Sequence, residues 1–253
     1  MDGATAETGH FLSQYEGVVR PDVVNAHAAA WQWIARPGTW MTGAQRCEVV
    51  REVRLARQCD LCKQRKNAPL PTLVQGEHNS NDVLTAGQVE AIHKLATDPG
   101  RLSKAWLDNL LSAGLTDGVY VETSGIVSIV MTMDTFTWSL GLEDTPVPEP
   151  LSGEPSPYRP PGAKLNDCWI ATVSLEDMAA SDGSLYGDRA SGVHRALSLV
   201  PPTKIAVFDL QMAHYISPNA IADTSITSLG RDITRPQIEI LASRVSVLNQ
   251  CLF

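Results

Sequence analysis

The sequence predicts an all-α protein, and three observations support this fold class. Capping boxes of the T-x-x-Q form, in which a Thr hydroxyl and a Gln side chain satisfy amides of a first helical turn, begin at Thr42, Thr85 and Thr234. Each box leads into a run of apolar residues with helical spacing. Strand signals are weak, because no Asn-Gly or Asp-Gly pair is flanked by alternating apolar and polar residues.

The individual helices have recognisable start and stop signals. The helix that follows Thr42 is expected to continue to about Asn67, because Pro69 cannot be accommodated in a helix interior. Gly114 and Gly141 each follow an apolar-periodic run and are expected to close it. In order, the predicted helices cover residues 42–67, 85–98, 102–113, 116–141, 191–199, 205–216 and 234 onward.

A proline-rich segment divides this helical pattern into two halves. Its sequence, PVPEPLSGEPSPYRPPG from Pro146 to Gly162, contains too much proline for regular secondary structure. We therefore assign residues 1–145 to an N-terminal helical half and residues 166–253 to a C-terminal helical half. Residues 146–165 between them form either a linker or an extended arm that packs over a core.

Composition and charge exclude several classes of function. The net charge of −8 gives a surface that repels phosphate backbones, so nucleic-acid binding is not expected. No apolar run approaches the ~20 residues that a membrane-spanning helix needs. The N-terminus has no secretory signal pattern, and the five cysteines are an odd number. These features indicate a reducing, cytoplasmic compartment rather than a disulfide scaffold.

The C-x-x-C pair Cys59 and Cys62 is the most definite chemical motif, because two thiols one helical turn apart can form and reopen a disulfide. On a continuous helix, positions 48, 52, 55, 59, 62 and 66 share one face. This face places Glu48 and Glu52 beside the thiols as candidate proton acceptors. It also places Lys66 there, as a cation that favours a thiolate.

Two other interpretations of the C-x-x-C pair stay open. The cysteines can be buried and inert, or they can be half of a zinc site, which needs two further ligands. The six histidines are scattered singly along the sequence, and we therefore expect neither a metal nor another cofactor. His93, on the second capped helix, and His78, in the loop before it, can fold back onto the thiols and relay a proton.

The two ends of the helical region resemble each other. Thr42 and Cys59 have the same spacing as Thr234 and Cys251, and Val53 matches Val245 in the same register. We interpret these segments as a divergent internal repeat of one cysteine-bearing helix. The sequence ends at Phe253, before the second copy has a C-x-x-C pair, which favours a C-terminally truncated chain.

Four segments together resemble the carboxymuconolactone decarboxylase/alkylhydroperoxidase D-like superfamily. EVVREVRLARQCDLCKQRK at 48–66 and RPQIEILASRVSVLNQCLF at 235–253 are similar to the cysteine helices of that family. AIHKLATDPGRLS at 91–103 and GLTDGVYVE at 114–122 are similar to a peroxidase-related branch of it. The resemblance covers most of residues 43–253.

The resemblance implies an all-helical thiol enzyme that reduces alkyl hydroperoxides as an antioxidant oxidoreductase. Cys62 would then be the peroxidatic cysteine and Cys59 the resolving one. Glu48 is the nearest match to the glutamate of the family, and Glu239 with Cys251 forms a possible second site. The family commonly has a histidine four residues after the second cysteine, where this sequence has Lys66.

The same resemblance implies the partners and the competing functions. An external thiol, or a thioredoxin-like or lipoyl-type protein, would re-reduce the disulfide, and the chain would form a homo-oligomer. The region of Trp31 and Trp33 is a candidate interface. The alternatives are a non-catalytic helical module that senses redox state, and a lyase like the decarboxylases of the superfamily.

Overall fold

Helices form almost all the regular structure in the computed structural model, which describes residues 17–81, 83–182, 185–186, 192–216, 220–221, 223–249 and 251. The all-α prediction is confirmed, since these ranges contain no strand and only one isolated antiparallel bridge, between Lys164 and Thr172. The helices are α1 Pro21–Ala35, α2 Gly43–Gln58, α3 Asp60–Asn67, α4 Ala86–Thr97, α5 Lys104–Ser112, α6 Asp117–Ser139, α7 Gly192–Arg195, α8 Pro201–His214 and α9 Arg235–Leu248.

The predicted capping residues begin the helices as expected. The Gln45 amide donates to Thr42 Oγ1 at 3.2 Å, and the Thr42 amide donates to the Gln45 side chain at 2.9 Å. Thr85 caps α4 in the same way. At the start of α9, the Thr234 amide donates to the side chain of Gln237. These caps depend only on residues within one turn, which is why the sequence is sufficient to locate them.

Three helix boundaries differ from the prediction. The helix expected over 42–67 is interrupted at Cys59, whose backbone is extended at φ −62° and ψ 123°. Of the segment 191–199, which was expected to be helical throughout, only α7 is an α-helix, and Ser191 lies outside the described residues. The next helix begins at Pro201 rather than 205, because prolines in a first turn leave no amide unsatisfied. Helix α1 was not predicted at all.

The core forms where α2, α4 and α6 pack together, with α1 against α2 and with α8 against α1 and α6. Its fully buried side chains include Ile34, Val49, Val53, Ile92, Ile126, Ile129 and Val130. Two sets of buried ion pairs join α2 to α6. Arg46 lies 3.4 Å from Glu122 near the start of α2, and Arg54 and Arg57 both bind Asp134 near its end. Helix α2 therefore has a fixed position up to the residues that precede Cys59.

The proline-rich segment lies against this core. The Trp31 indole donates to the Pro146 carbonyl at 2.7 Å, and the Leu151 amide donates to the Ala35 carbonyl at 2.8 Å. The Cys47 thiol donates to the carbonyl of Pro148. The side chain of Trp31 is buried in the core, and the interface expected for the region of Trp31 and Trp33 stays a prediction.

Helix α9 contrasts with the core helices because most of its apolar side chains are exposed. Ile240, Leu241, Val245, Val247 and Leu248 are all exposed, while Ile238 packs with Ile216 and Ala220. Phe253, at which truncation was inferred, lies outside the described residues. Among the helices of the described ranges, none combines the length and apolar character needed to span a bilayer.

Candidate thiol and histidine site

The break at Cys59 places both sulfurs at the start of a new helix. The Cys59 amide donates to the Ala56 carbonyl and completes α2, while the Cys59 carbonyl accepts the first bond of α3 from Lys63. Asp60, in the first turn of α3, is favourable for the helix dipole. The Cys62 amide, in this first turn, donates to the Cys59 sulfur, and the positive end of the helix favours a thiolate there.

Helix α4 brings a buried histidine to Cys62, and α2 supplies the buried glutamate behind it. His93 Nδ1 lies 3.2 Å from Cys62 Sγ, and His93 Nε2 lies 2.8 Å from Glu52 Oε1. The side chains of His93 and Glu52 are almost completely buried. The Ser80 hydroxyl donates to the other oxygen of Glu52. Carboxylate, imidazole and thiol therefore form a continuous hydrogen-bonded chain between α2 and α4.

A second histidine reaches the thiols from the loop before α4. His78 Nδ1 lies 3.5 Å from Cys59 Sγ and 3.6 Å from Cys62 Sγ. Its Nε2 lies 2.8 Å from Glu90, which also accepts hydrogen bonds from Arg65 and from the Trp106 indole. The cysteine pair is thus flanked by two histidine–glutamate dyads.

These contacts favour the thiolate forms of both cysteines. Burial raises the pKa of Cys62, but hydrogen bonds from His78 and His93 outweigh burial and lower this pKa to about 6. Burial also raises the pKa of Cys59, but the backbone amides of Asn79 and Cys62 and the His78 ring lower it overall. The buried Cys47, without such donors, has a pKa raised to about 11 by burial.

The histidines are held in their protonated form by the same contacts. Burial lowers the pKa of His78, yet hydrogen bonds to Cys62, Glu90 and Cys59 raise it to about 10. For His93, hydrogen bonds to Cys62 and Glu52 likewise outweigh burial and raise the pKa to about 9. The metal-free site at neutral pH therefore contains the Cys62 thiolate beside two imidazolium groups.

Cys62 borders a small cavity in the described part of the chain. A cavity of about 10 Å³ lies against Cys62, His78 and the side chains of Arg65 and Lys94. This volume is roughly that of one water-sized molecule. The Cys59 side chain is fully buried and is not part of the cavity wall. A small reactant can therefore reach Cys62 before it reaches Cys59.

Two of the predicted site residues lie away from the thiols. Glu48 accepts hydrogen bonds from Asn81 and Arg51, and no contact among the described residues joins it to either sulfur. Lys66 is exposed near the end of α3, and no contact among the described residues joins its side chain to either sulfur. Glu52, by contrast, reaches Cys62 through His93.

The C-terminal copy does not have equivalent neighbours in the described part of the chain. Glu239 accepts a hydrogen bond from the Tyr215 hydroxyl and lies 3.7 Å from Arg235. Cys251 is exposed beyond the end of α9. The structure does not bring Glu239, Cys251 and a histidine together within the ranges it describes.

Sequence reasoning missed Glu90 and Arg65. Glu90 and His93 form an E-x-x-H pattern on α4, and this spacing was the available signal that both side chains face the same way. No local pattern could show that Arg65 binds Glu90, because they come from different helices.

Four side chains at this site are also arranged as metal ligands. The sulfurs of Cys59 and Cys62 and a ring nitrogen from each of His78 and His93 all lie within 4.8 Å of one another. Thiolate sulfur and imidazole nitrogen are the ligands that zinc prefers in proteins. No other such group is found among the residues that the structure describes.

No protein-family model, curated protein or solved structure matches this chain. The functional argument therefore depends on the geometry around Cys59 and Cys62.

Proposed function

We propose that this protein is an alkylhydroperoxidase-like thiol peroxidase that reduces small hydroperoxides through a Cys59–Cys62 dithiol and disulfide cycle. One observation supports this proposal most strongly. A chain of hydrogen-bonding groups runs from Glu52 through His93 to Cys62, and the second thiol, Cys59, lies next to the reacting sulfur.

In the first step, the Cys62 thiolate attacks the outer oxygen of ROOH, and the O–O bond breaks. The sulfur is oxidised to a sulfenic acid, and the alkoxide leaving group takes a proton to become ROH. His93 is the proton donor, since its Nδ1 is directed at the sulfur where the reaction occurs. Glu52 holds the ring in this orientation and stabilises its positive charge.

In the second step, the Cys59 sulfur attacks the sulfenic sulfur of Cys62. A disulfide forms, and the hydroxyl leaves as water after taking one proton. The two sulfurs already lie within 4.8 Å of each other, so the approach to the ~2.05 Å of a disulfide is a local movement. An external dithiol, of the thioredoxin or lipoyl type, then reduces the disulfide and returns both cysteines to thiols.

Access supports Cys62 as the peroxidatic residue and Cys59 as the resolving one. Cys62 borders the cavity, whereas the Cys59 side chain is enclosed. Arg65 and Lys94, which line the cavity and form ion pairs with Glu90 and Asp98, offer N–H donors to a polar substrate. The small volume favours hydrogen peroxide and short alkyl hydroperoxides over bulky ones.

The wider assignment is part of the same proposal. An alkylhydroperoxidase D-like helical fold and a homo-oligomeric state accord with the all-helical architecture and with the two cysteine-bearing segments, α2–α3 and α9. The buried carboxylate that serves Cys62 is then Glu52, and His93 from α4 takes the role of the histidine that Lys66 replaces in the sequence.

The test is a thiol titration of the reduced, chelator-treated protein before and after one equivalent of hydrogen peroxide. The expected result is loss of two thiols and a Cys59–Cys62 disulfide in peptide mapping. In Cys59→Ser, a sulfenic acid should instead accumulate on Cys62, where dimedone can trap it. Cys168→Ser is the matched control. Unchanged thiols in the wild-type protein would reject the peroxidase proposal.

A redox sensor is the second candidate, and the burial of both sulfurs favours it, because a reductant has poor access to an enclosed disulfide. A sensor would be oxidised once and would not turn over with a dithiol reductant. Sustained consumption of peroxide with dihydrolipoate as reductant distinguishes the enzyme from the sensor.

A further inference from the structure

The site contains one more histidine than peroxide reduction needs. A single imidazole, His93, is sufficient to activate Cys62 and to supply a proton. His78 nevertheless approaches both sulfurs, and its ring centre lies 4.1 Å from that of His93. Four potential ligand atoms therefore converge on one point from three directions in the fold.

We propose that the reduced protein binds one zinc ion through Cys59, Cys62, His78 and His93. This inference does not depend on the peroxidase proposal, because it concerns the resting dithiol and requires no peroxide. In this proposal the same four side chains also form a closed metal site, in which every ligand comes from the protein.

The distances agree with tetrahedral coordination. With ordinary zinc–sulfur and zinc–nitrogen bonds, a tetrahedral site has sulfur–nitrogen edges of roughly 3.6 Å. The three sulfur–nitrogen distances that define the cluster are 3.5 Å, 3.6 Å and 3.2 Å, all to the Nδ1 atoms of His78 and His93. Three of the six edges of a ligand tetrahedron are therefore already close to their expected lengths, and all four ligand atoms lie within 4.8 Å of one another.

The residues behind the ligands support a metal site as well. Metal-binding histidines usually donate their second ring N–H to a carboxylate, which fixes the tautomer and the direction of the ring. Here Glu52 accepts from His93 Nε2 and Glu90 accepts from His78 Nε2, each at 2.8 Å. Both rings thus direct Nδ1 at the sulfurs.

Charge and position also suit a divalent cation. Two thiolates carry two negative charges in a buried place, and a zinc ion neutralises both. The ligands come from the α2–α3 junction, from the following loop and from α4. Zinc would join these three segments, so we expect it to stabilise the fold as well as to protect the thiols.

The experiment uses the full chain, reduced and stripped of metal, and titrates zinc in competition with a chromophoric chelator. The expected result is one zinc ion per chain. Cobalt should bind with the intense visible bands and the thiolate charge-transfer bands of a tetrahedral S₂N₂ site. His78→Ala, which leaves the Cys62–His93–Glu52 chain intact, should weaken zinc binding by about 100-fold or more, and Glu90→Gln by about 10- to 100-fold.

Two controls keep the result interpretable. Cys168→Ser should bind zinc as the wild type does, and wild-type protein with both site cysteines alkylated should not bind it. Circular dichroism identifies variants that do not fold, and the alkylated wild type tests the thiols without a substitution.

The proposal would be overturned if the wild type bound no zinc, if the cobalt spectrum were octahedral, or if a folded His78→Ala protein bound zinc with wild-type affinity. Peroxide turnover of chelator-treated protein is measured separately, so either proposal can fail alone.

Discussion

The two cysteine-bearing segments begin in the same way and lie in very different surroundings. Thr42 and Thr234 each donate a backbone amide to a glutamine three residues later, and the cysteines follow at the same spacing. Cys59 is fully buried beside a histidine, whereas Cys251 is exposed. A shared helix start and a shared cysteine position therefore do not produce a shared chemical site.

The difference arises from what packs on each helix. Helix α2 is covered by α4 and α6, and α4 supplies His93 and Glu90. Helix α9 presents most of its apolar residues to solvent and packs mainly through Ile238. The surroundings of each cysteine in this protein are thus determined by the neighbouring element rather than by the helix that precedes it.

The largest expected effect is a difference in peroxide turnover between substitutions of Cys62 and Cys251. Cys62→Ser should lower peroxide turnover by more than about 1,000-fold, because the nucleophile itself is lost. Cys251→Ser should leave turnover within experimental error of the wild type. Turnover is measured as peroxide consumption with an excess of dithiol. Equal losses of turnover in the two variants would mean that the exposed Cys251 takes part in the reaction. The functional difference between Cys62 and Cys251 would then be rejected.

A smaller difference in peroxide turnover is expected between substitutions of Glu52 and Glu239. Glu52→Gln keeps an oxygen that can accept from His93 but removes the negative charge, so turnover should fall by about 100-fold. A less stable imidazolium also raises the pKa of the Cys62 thiol, so the pH profile should shift to higher pH. Glu239→Gln is the matched control, because its carboxylate binds Tyr215 instead. A lower rate for Glu52→Gln with an unshifted pH profile would indicate a purely structural role for this residue.

The sequence was sufficient to predict those structural features that depend only on residues close together in the chain. The starts of α2, α4 and α9 follow from a threonine and a glutamine within one turn, and the glycines after α5 and α6 were correctly expected to end helices. The capping boxes, the helical spacing of apolar residues and the weak strand signals correctly predicted an all-α fold for the described residues. These signals are local, so they do not require knowledge of the tertiary structure.

The candidate site was only partly predictable, because its geometry depends on a helix break and on long-range packing. No glycine or proline marks the interruption at Cys59, so no local signal separates Glu48 and Glu52 from the helix that contains Cys62. Glu48 and Glu52 were equivalent in the sequence, and only the position of α4 shows that Glu52 contacts His93. The histidines His78 and His93 were considered as relays, but their convergence on one point required the fold.

Differences in packing predict different effects on the free energy of unfolding when Val53 and Val245 are substituted. Val53 is fully buried in the core, whereas Val245, at the same position of the repeat, is 57% exposed. Val53→Ala should lower the free energy of unfolding by about 2 kcal/mol, through lost burial and a residual cavity. Val245→Ala should change it by less than about 0.5 kcal/mol. Urea denaturation measures both, and a similar loss for Val245→Ala would show that the exposed face of α9 is covered in solution.

The smallest expected effect concerns the pH at which the site thiol ionises in the metal-free protein. Hydrogen bonds from His78 and His93 outweigh the opposing effect of burial and lower the pKa of Cys62 to about 6. Because the shift favours the charged form, the thiolate should predominate above pH 6 and be lost as the pH falls below it.

The thiolate absorbance of the wild type minus that of Cys62→Ser reports this ionisation, and peroxide consumption should fall by about tenfold for each pH unit below the midpoint. His93→Gln should move the midpoint upward, since one of the donors to the sulfur is weakened, whereas Cys251→Ser should not move it. A wild-type midpoint near the ordinary thiol pKa of about 8.5 would show that the histidines do not activate Cys62. In that case the buried thiols of α2–α3 would have no chemical advantage over the exposed thiol that follows α9.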